Sequence, residues 1–374
     1  MSSISPAIAF LSSSTSWGGL EMNLVRWAHW FSEEGEEVKV FCQKDSKLYA
    51  KARELELPIV LIKGHRKYYD FKAAWRLSGL LKENFCSTVI FRDTKDMSTL
   101  GLAKTFSCAK LKLIYFQGMR LGVYKRDLLH TIRFRQLDYW VTPLNLLKEE
   151  VLEHTRFPEK RITVIPLAIE NSFVPKRSAG EVREELGVKK EELLLGVIGR
   201  LDPGKCQDIV IRALAQVNYK SSLKLLILGD ETAHSTHNYK MKLETLVSEL
   251  GLKESVILKP STSDVASYMN ALDVFIMSSE AETFGMVTIE ALWLNKVVIG
   301  TDSGGTPEIL GRGKYGCLVE PKNVEELAQA IETIQEDVVK YSEIAKESGL
   351  FARNTYHRES FVSRLLSLIS LSQT

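Results

Sequence analysis

Two glutamates eight residues apart, Glu282 and Glu290, flank a Phe284-Gly285 turn in the segment 278–292, SSEAETFGMVTIEAL. The apolar run VFIM (274–277) before it reads as a strand, and the stretch from Gly285 onward reads as a helix. Such a junction suits a diphosphate. Gly285 permits a tight turn and close backbone approach. The first amides of the helix, those of Met286 and Val287, face an anion that the helix dipole also favours. Glu290 lies about one turn further in, roughly 6–8 Å along the axis, where a carboxylate can accept two hydrogen bonds from a ribose diol. Glu282 precedes the turn and reaches the other side of the phosphates, toward a sugar hydroxyl. The spacing is that of a carboxylate–phosphate–carboxylate clamp. A surface helix with two solvated glutamates carries the same residue types; the strand and the Phe-Gly turn distinguish this segment.

Three further groups could serve the same ligand. In VIGRLDPGKCQD (197–208), a Gly/Pro turn after a strand holds Arg200 and Lys205. Two cations there can neutralise a diphosphate leaving group without a metal, although an ordinary strand–turn–helix connection looks similar. Gly18 and Gly19 follow the first strand and bring backbone close to a ligand. The segment DSGGTPE (302–308) reads mainly as a turn and helix start, with Pro307 in the first helical turn. No Asp-x-Asp metal motif is present, since Asp93 and Asp96 have the wrong spacing. The reaction is therefore expected to need no metal and no cofactor.

The Glu-x7-Glu pattern resembles the donor-binding motif of the retaining glycosyltransferases of family 4, and the likeness extends over nearly the whole chain. The family has a similar Gly-Arg…Lys-Gly pattern, with the Arg and Lys on the donor phosphates; Cys206 stands here where Gly is usual. Its Gly-Gly loop, matched by Gly18 and Gly19, caps the donor phosphate. Ile165-Pro166 matches an element that precedes the linker, with Ala168 in place of the usual Gly. The resemblance implies an α/β GT-B fold: two Rossmann-like parallel-sheet domains facing across a cleft. It implies a nucleotide-sugar donor bound by Arg200, Lys205, Glu282, Phe284, Gly285, Met286, Val287 and Glu290. Glu282, Arg200 and Lys205 would act in catalysis, with Glu282 orienting the sugar, and the anomeric configuration would be retained. The acceptor would be a saccharide or lipid-linked glycan, and family usage suggests cell-envelope or lipopolysaccharide biosynthesis; the expected address, the cytoplasm, rests instead on the cysteine usage and on the lack of a spanning run or signal peptide. Many members carry an active-site His where this chain has Gln117, and an amide cannot shuttle a proton near neutral pH. The base is then the leaving phosphate or another residue, such as His130. A sugar-nucleotide 2-epimerase of the same fold and a non-catalytic sugar- or nucleotide-binding module are the competing readings. A dehydrogenase is disfavoured because no G-x-G-x-x-G follows a strand.

The elements that must position these residues form two similar series. Short apolar runs at 7–11, 38–42, 59–62, 87–91, 111–116, 139–142 and 162–167 alternate with helical stretches, as in a parallel sheet covered on both faces. The segment 170–180 reads as a linker. The pattern restarts with runs at 193–199, 223–229, 256–259, 274–277 and 297–300. Two domains follow: residues 171–354, which bind the donor, and residues 1–170, which bind the acceptor. The resemblance adds 355–374 to the acceptor domain as a returning helix.

The formal net charge of +2 disfavours a dedicated nucleic-acid binder. Residues 1–170, however, are net +7 and the remainder net −5. The basic stretch 112–135, with Tyr124 and Phe134 interleaved, reads as an acceptor wall that includes Gln117, Arg120 and Lys125. An RNA-binding surface or a solvated loop would look alike. The mixed basic and aromatic cluster HRKYYDF (65–71) suits peripheral contact at the inner membrane face, and equally an ordinary surface. Five cysteines without C-x-x-C spacing fit a reducing compartment. No apolar run reaches the ~18–20 residues of a spanning helix, and the N-terminus lacks the basic start of a signal peptide.

Overall fold

Near-continuous apolar strands are what an all-parallel sheet buried on both faces requires, and both sheets of this chain are built that way, with polar residues such as Lys39 in β2 and Lys224 in β9 as interruptions. The computed structural model describes residues 6–107, 111–218, 220–231 and 238–371; Cys108 lies outside them. In the first half, β1 (Ala7–Leu11), α1 (Gly19–Glu33), β2 (Val38–Cys42), α2 (Lys47–Glu54), β3 (Ile59–Leu61), α3 (Phe71–Glu83), β4 (Cys86–Phe91), α4 (Thr94–Phe106), β5 (Lys112–Phe116), α5 (Leu128–Arg135), β6 (Tyr139–Thr142), α6 (Asn145–His154) and β7 (Ile162–Val164) follow one another. The seven strands lie in the order β3-β2-β1-β4-β5-β6-β7. Adjacent pairs are parallel.

The second half runs α7 (Ala179–Glu185), β8 (Leu193–Ile198), α8 (Gln207–Gln216), β9 (Leu223–Leu228), α9 (Tyr239–Glu249), β10 (Val256–Lys259), α10 (Val265–Ala271), β11 (Val274–Met277), α11 (Met286–Trp293), β12 (Val297–Thr301), α12 (Thr306–Ile309), β13 (Cys317–Val319), α13 (Val324–Glu336) and α14 (Val338–Thr355). Its sheet order is β10-β9-β8-β11-β12-β13, again all parallel. Counted within the unit, this is the doubly wound order 3-2-1-4-5-6, whose direction of winding reverses between the first and fourth strands. Ligands of such sheets bind outside the carboxyl ends of the strands at that reversal. Here it falls between β8 and β11, so the loops at the reversal are those after Ile198 and Met277.

The chain closes with α15 (Arg358–Ser370). The compact units are Met1–Pro166 with Arg358–Thr374, and Leu167–His357. In the first unit α15 packs on α1, placing Phe361 4.9 Å from the Trp27 ring and 5.9 Å from Trp30. Arg358 bonds Glu33 at 2.6 Å on the same helix pair.

Several elements differ from the sequence expectation. The run 162–167 pairs only as far as Val164. The short strand β13 and the helices α2 and α5 went unread. The basic stretch 112–135 is not one loop: it begins as β5 and ends as α5, whose start is capped by Asp127 accepting from His130 N at 3.1 Å. Asp127 also holds His130 Nδ1 at 2.6 Å, so that ring is engaged by its own helix cap.

Candidate functional site

The loop after β8 is shaped by its own polar residues. Asp202 Oδ1 accepts from Gly204 N at 2.9 Å, and Pro203 starts the single 3-10 turn Pro203–Lys205. Gln207, on the first turn of α8, donates to the Arg200 carbonyl at 2.9 Å. Cys206 joins the turn to α8 with φ +52, in the left-handed region. That conformation explains why glycine is the easier residue here.

The loop after β11 is stitched to the first. Ser278 Oγ donates to the Lys205 carbonyl at 2.7 Å, and Glu280 N donates to the Gly204 carbonyl at 3.0 Å. These bonds bring Lys205 Nζ to 2.5 Å from Glu282 Oε2, although the residues are 77 positions apart. Both side chains are partly exposed, at 30% and 21%. Arg200 is exposed at the edge of the same loop.

The backbone of Glu282 is held from a third loop. Gly305 N donates to the Glu282 carbonyl at 2.7 Å. Gly304 has φ +60, and a Cβ there would lie 2.2 Å from that carbonyl oxygen. The Gly-Gly element after β12 thus clamps the acid's main chain and leads into α12. Gly285 caps α11 with φ +75. The amides of Met286 and Val287 head that helix and have no carbonyl one turn back. Glu290, on the next turn, is half-buried. Phe284 is buried, edge-on to Tyr356 at 6.3 Å, so its ring serves packing.

Gly18 and Gly19 stand at the head of α1 in the first unit. Glu21 Oε2 accepts from Gly18 N at 3.0 Å, and Arg92 Nη1 donates to the Gly19 carbonyl at 3.0 Å. Arg92 is buried, with its guanidinium 4.7 Å from the Trp27 ring and 5.5 Å from that of Phe116. Burial pushes it down to about 10.

The acceptor residues fare differently. Gln117 is fully buried; its Nε2 donates to the Met119 carbonyl at 2.9 Å, and its Oε1 accepts from Trp140 Nε1 at 2.9 Å. Both ends of the amide are therefore committed inside the first unit. Arg120 Nε bonds Glu150 at 3.3 Å with its side chain 47% exposed. Lys125 donates to the Leu121 carbonyl at 3.2 Å; burial, with Arg133 and Lys67 nearby, lowers its pKa.

Sequence reasoning missed Glu150, which is buried and also accepts from Leu121 N at 3.1 Å. It pins the basic loop from a helix 29 residues away, and no local motif announces it. The buried His65–Asp96 pair at 2.8 Å was missed as well. Among the described residues no group of three or more His, Cys, Asp or Glu could hold a metal.

Residues 178–349 match the family described as Glycosyl transferases group 1, and residues 17–173 match Glycosyltransferase Family 4. A Campylobacter jejuni protein named N-acetylgalactosamine-N,N'-diacetylbacillosaminyl-diphospho-undecaprenol 4-alpha-N-acetylgalactosaminyltransferase is 30% identical over 50% of this chain and 48% of its own length. Bacillus anthracis N-acetyl-alpha-D-glucosaminyl L-malate synthase is 26% identical over 71% of this chain and 68% of its own. A D-inositol 3-phosphate glycosyltransferase of Stackebrandtia nassauensis is 26% identical over 56% of this chain and 48% of its own, so the chain spans about half the length of several curated relatives it matches. The structure of Anabaena HepE in complex with UDP superposes with a TM-score of 0.86 at 21% identity, covering 97% of this chain and 99% of that one. The shared fold is GT-B.

Proposed function

The chain belongs to the family 4 glycosyltransferases of group 1, and from that premise we propose that it moves a hexosyl-type sugar from a nucleoside-diphosphate sugar to a hydroxyl of a saccharide or lipid-linked acceptor. The observation that carries this reading is the meeting of Lys205 and Glu282 outside the reversal of the second sheet, beside the head of α11.

In the proposed reaction the acceptor oxygen bonds the anomeric carbon on the face the diphosphate leaves, so the configuration is retained. The bond from that carbon to the phosphate oxygen breaks and its electron pair goes to the diphosphate. Arg200, Lys205 and the amides of Met286 and Val287 take up the charge, replacing the divalent ion that other transferases use. Gln117 is an amide enclosed in the fold, so we assign the acceptor's proton to the departing phosphate oxygen. Glu282 orients the sugar and Glu290 holds the ribose. Gly18 N already donates to Glu21, so of the Gly-Gly pair we assign the Gly19 amide to the donor phosphate.

The Campylobacter relative's name specifies a diphospho-undecaprenol substrate. Two structures of the same fold, described as an outer-core galactosyltransferase and as an enzyme of lipopolysaccharide biosynthesis, support an envelope role. No helix among the described residues is long and apolar enough to cross a membrane. We place the reaction in the cytoplasm, with peripheral membrane contact through the exposed Tyr68, Tyr69, Phe71 and Trp75.

A thermal-shift screen of nucleotide sugars tests the assignment, because a ligand that binds only the folded protein raises its midpoint. One nucleoside diphosphate and its sugar are expected to stabilise the protein, and Glu290→Ala to weaken that response about tenfold or more in affinity. If a folded Glu290→Ala protein responds like the parent, the ribose assignment is wrong.

A further inference from the structure

We propose that His65, held as an imidazolium, is a positioning residue that acts through Asp96 to fix the loop between β1 and α1. Both ring nitrogens face acceptors. Nδ1 is 2.9 Å from the Arg66 carbonyl oxygen, and Nε2 is 2.8 Å from Asp96 Oδ1. A neutral ring carries one N–H and can satisfy only one of them; the doubly protonated ring satisfies both. Thr99 Oγ1, 3.1 Å from Nδ1, shares that side.

The side chains of His65 and Asp96 are 3% and 0% exposed. A carboxylate buried so deeply without a counter-charge is strongly destabilising, and His65 is its direct ionic partner. The other oxygen of Asp96 accepts from Ser13 N at 3.2 Å. Ser13 lies in the loop that runs from β1 to Gly18 and Gly19, and its carbonyl accepts from Gln43. One chain of bonds thus joins the segment after β3, the first turn of α4 and the loop after β1.

The charges around the ring agree. Burial alone pushes His65 down, but the Asp96 hydrogen bond, the Arg66 carbonyl and the Asp96 charge outweigh it, and the net direction is up. Lys95, on the same turn as Asp96, opposes protonation; Asp70, at the start of α3, favours it. A histidine raised on folding contributes stability fully below its unfolded value of 6.5 and loses it as pH rises through the native value. The loop is therefore held firmly in mild acid and released on the alkaline side. The consequence for donor binding rests on the assignment of Gly19 to the phosphate.

The test is an NMR titration of the His65 ring in the full chain, with amide exchange at 13–19 followed over the same pH range and corrected for intrinsic rates. The ring is expected to titrate above 6.5, and protection of the loop to fall as it does. His65→Gln is expected to abolish that pH-dependent step and to raise the donor KM several-fold with little change in kcat. A ring that titrates at or below 6.5, or a His65→Gln protein whose loop follows the parent profile, overturns the proposal. If that variant does not fold, the titration of the parent decides alone. If no nucleotide sugar binds, the enzymatic reading fails, while the titration and loop exchange still judge His65.

Discussion

Lys205 and Glu282 neutralise one another in the resting protein, yet each is assigned a different part of the donor. The lysine faces phosphate and the acid faces sugar, so a complete donor separates the pair and engages both. Lys205→Met keeps much of the side-chain bulk and removes the charge. Because the cation counts most where charge develops on the leaving group, kcat is expected to fall about 10²–10³-fold, with a smaller change in donor KM. Steady-state kinetics with saturating acceptor measure this; an unchanged kcat removes Lys205 from the transition state. At this scale the sequence was informative where chemistry is local. Glu282, Gly285 and Glu290 lie within nine residues, and Arg200 and Lys205 flank one Gly/Pro turn. It was uninformative where the partner is distant. The environment of Gln117 depends on Trp140, 23 residues on, and that of His65 on Asp96, 31 residues on.

Among the elements, the loops rather than the strands decide the geometry of the site. Gly304 belongs to neither assigned cation nor acid, but its left-handed backbone lies against the main chain of Glu282. Gly304→Ala introduces two costs: a left-handed alanine, about 1–2 kcal/mol, and a methyl group that overlaps the Glu282 carbonyl. The melting midpoint is expected to drop by several degrees and kcat/KM by at least tenfold, since Glu282 must shift. Loss of stability with full activity would show that the clamp has no bearing on catalysis. Most strands were legible as unbroken apolar runs, because a parallel sheet covered on both faces leaves no alternation to confuse. Strand β13 was not, being three residues long and at a sheet edge. The role of the Gly-Gly element was legible only as a turn, since nothing in 302–308 reveals which backbone packs against it.

For the molecule as a whole, the way the chain enters its second unit bears on acid stability. Lys176 N and Arg177 N both donate to Ser267 Oγ, at 2.9 and 3.0 Å. Arg177 also pairs with Asp264 and with Glu185. Glu185 in turn accepts from Lys259, Arg177 and Tyr268, which together push it down to about 2. A carboxyl depressed on folding contributes stability above its unfolded value of 4.5 and loses it as pH falls through the native value. Its side chain is 34% exposed, so solvent screens much of the gain. The stability difference between the parent and Glu185→Gln, measured by urea denaturation, is expected to be constant above pH 4.5 and to shrink toward pH 2. A flat difference across that interval would show that the cluster does not act through the carboxylate's charge.

The division of the chain also has a bearing on its biogenesis. The second unit is a continuous segment and has every strand it needs once residue 357 has left the ribosome. The first unit is translated earlier but must wait, with the Phe361-facing sides of Trp27 and Trp30 uncovered, for the helix that carries Phe361. The half that is made first is therefore the half that matures last, and it is the one a chaperone would have to shield during synthesis.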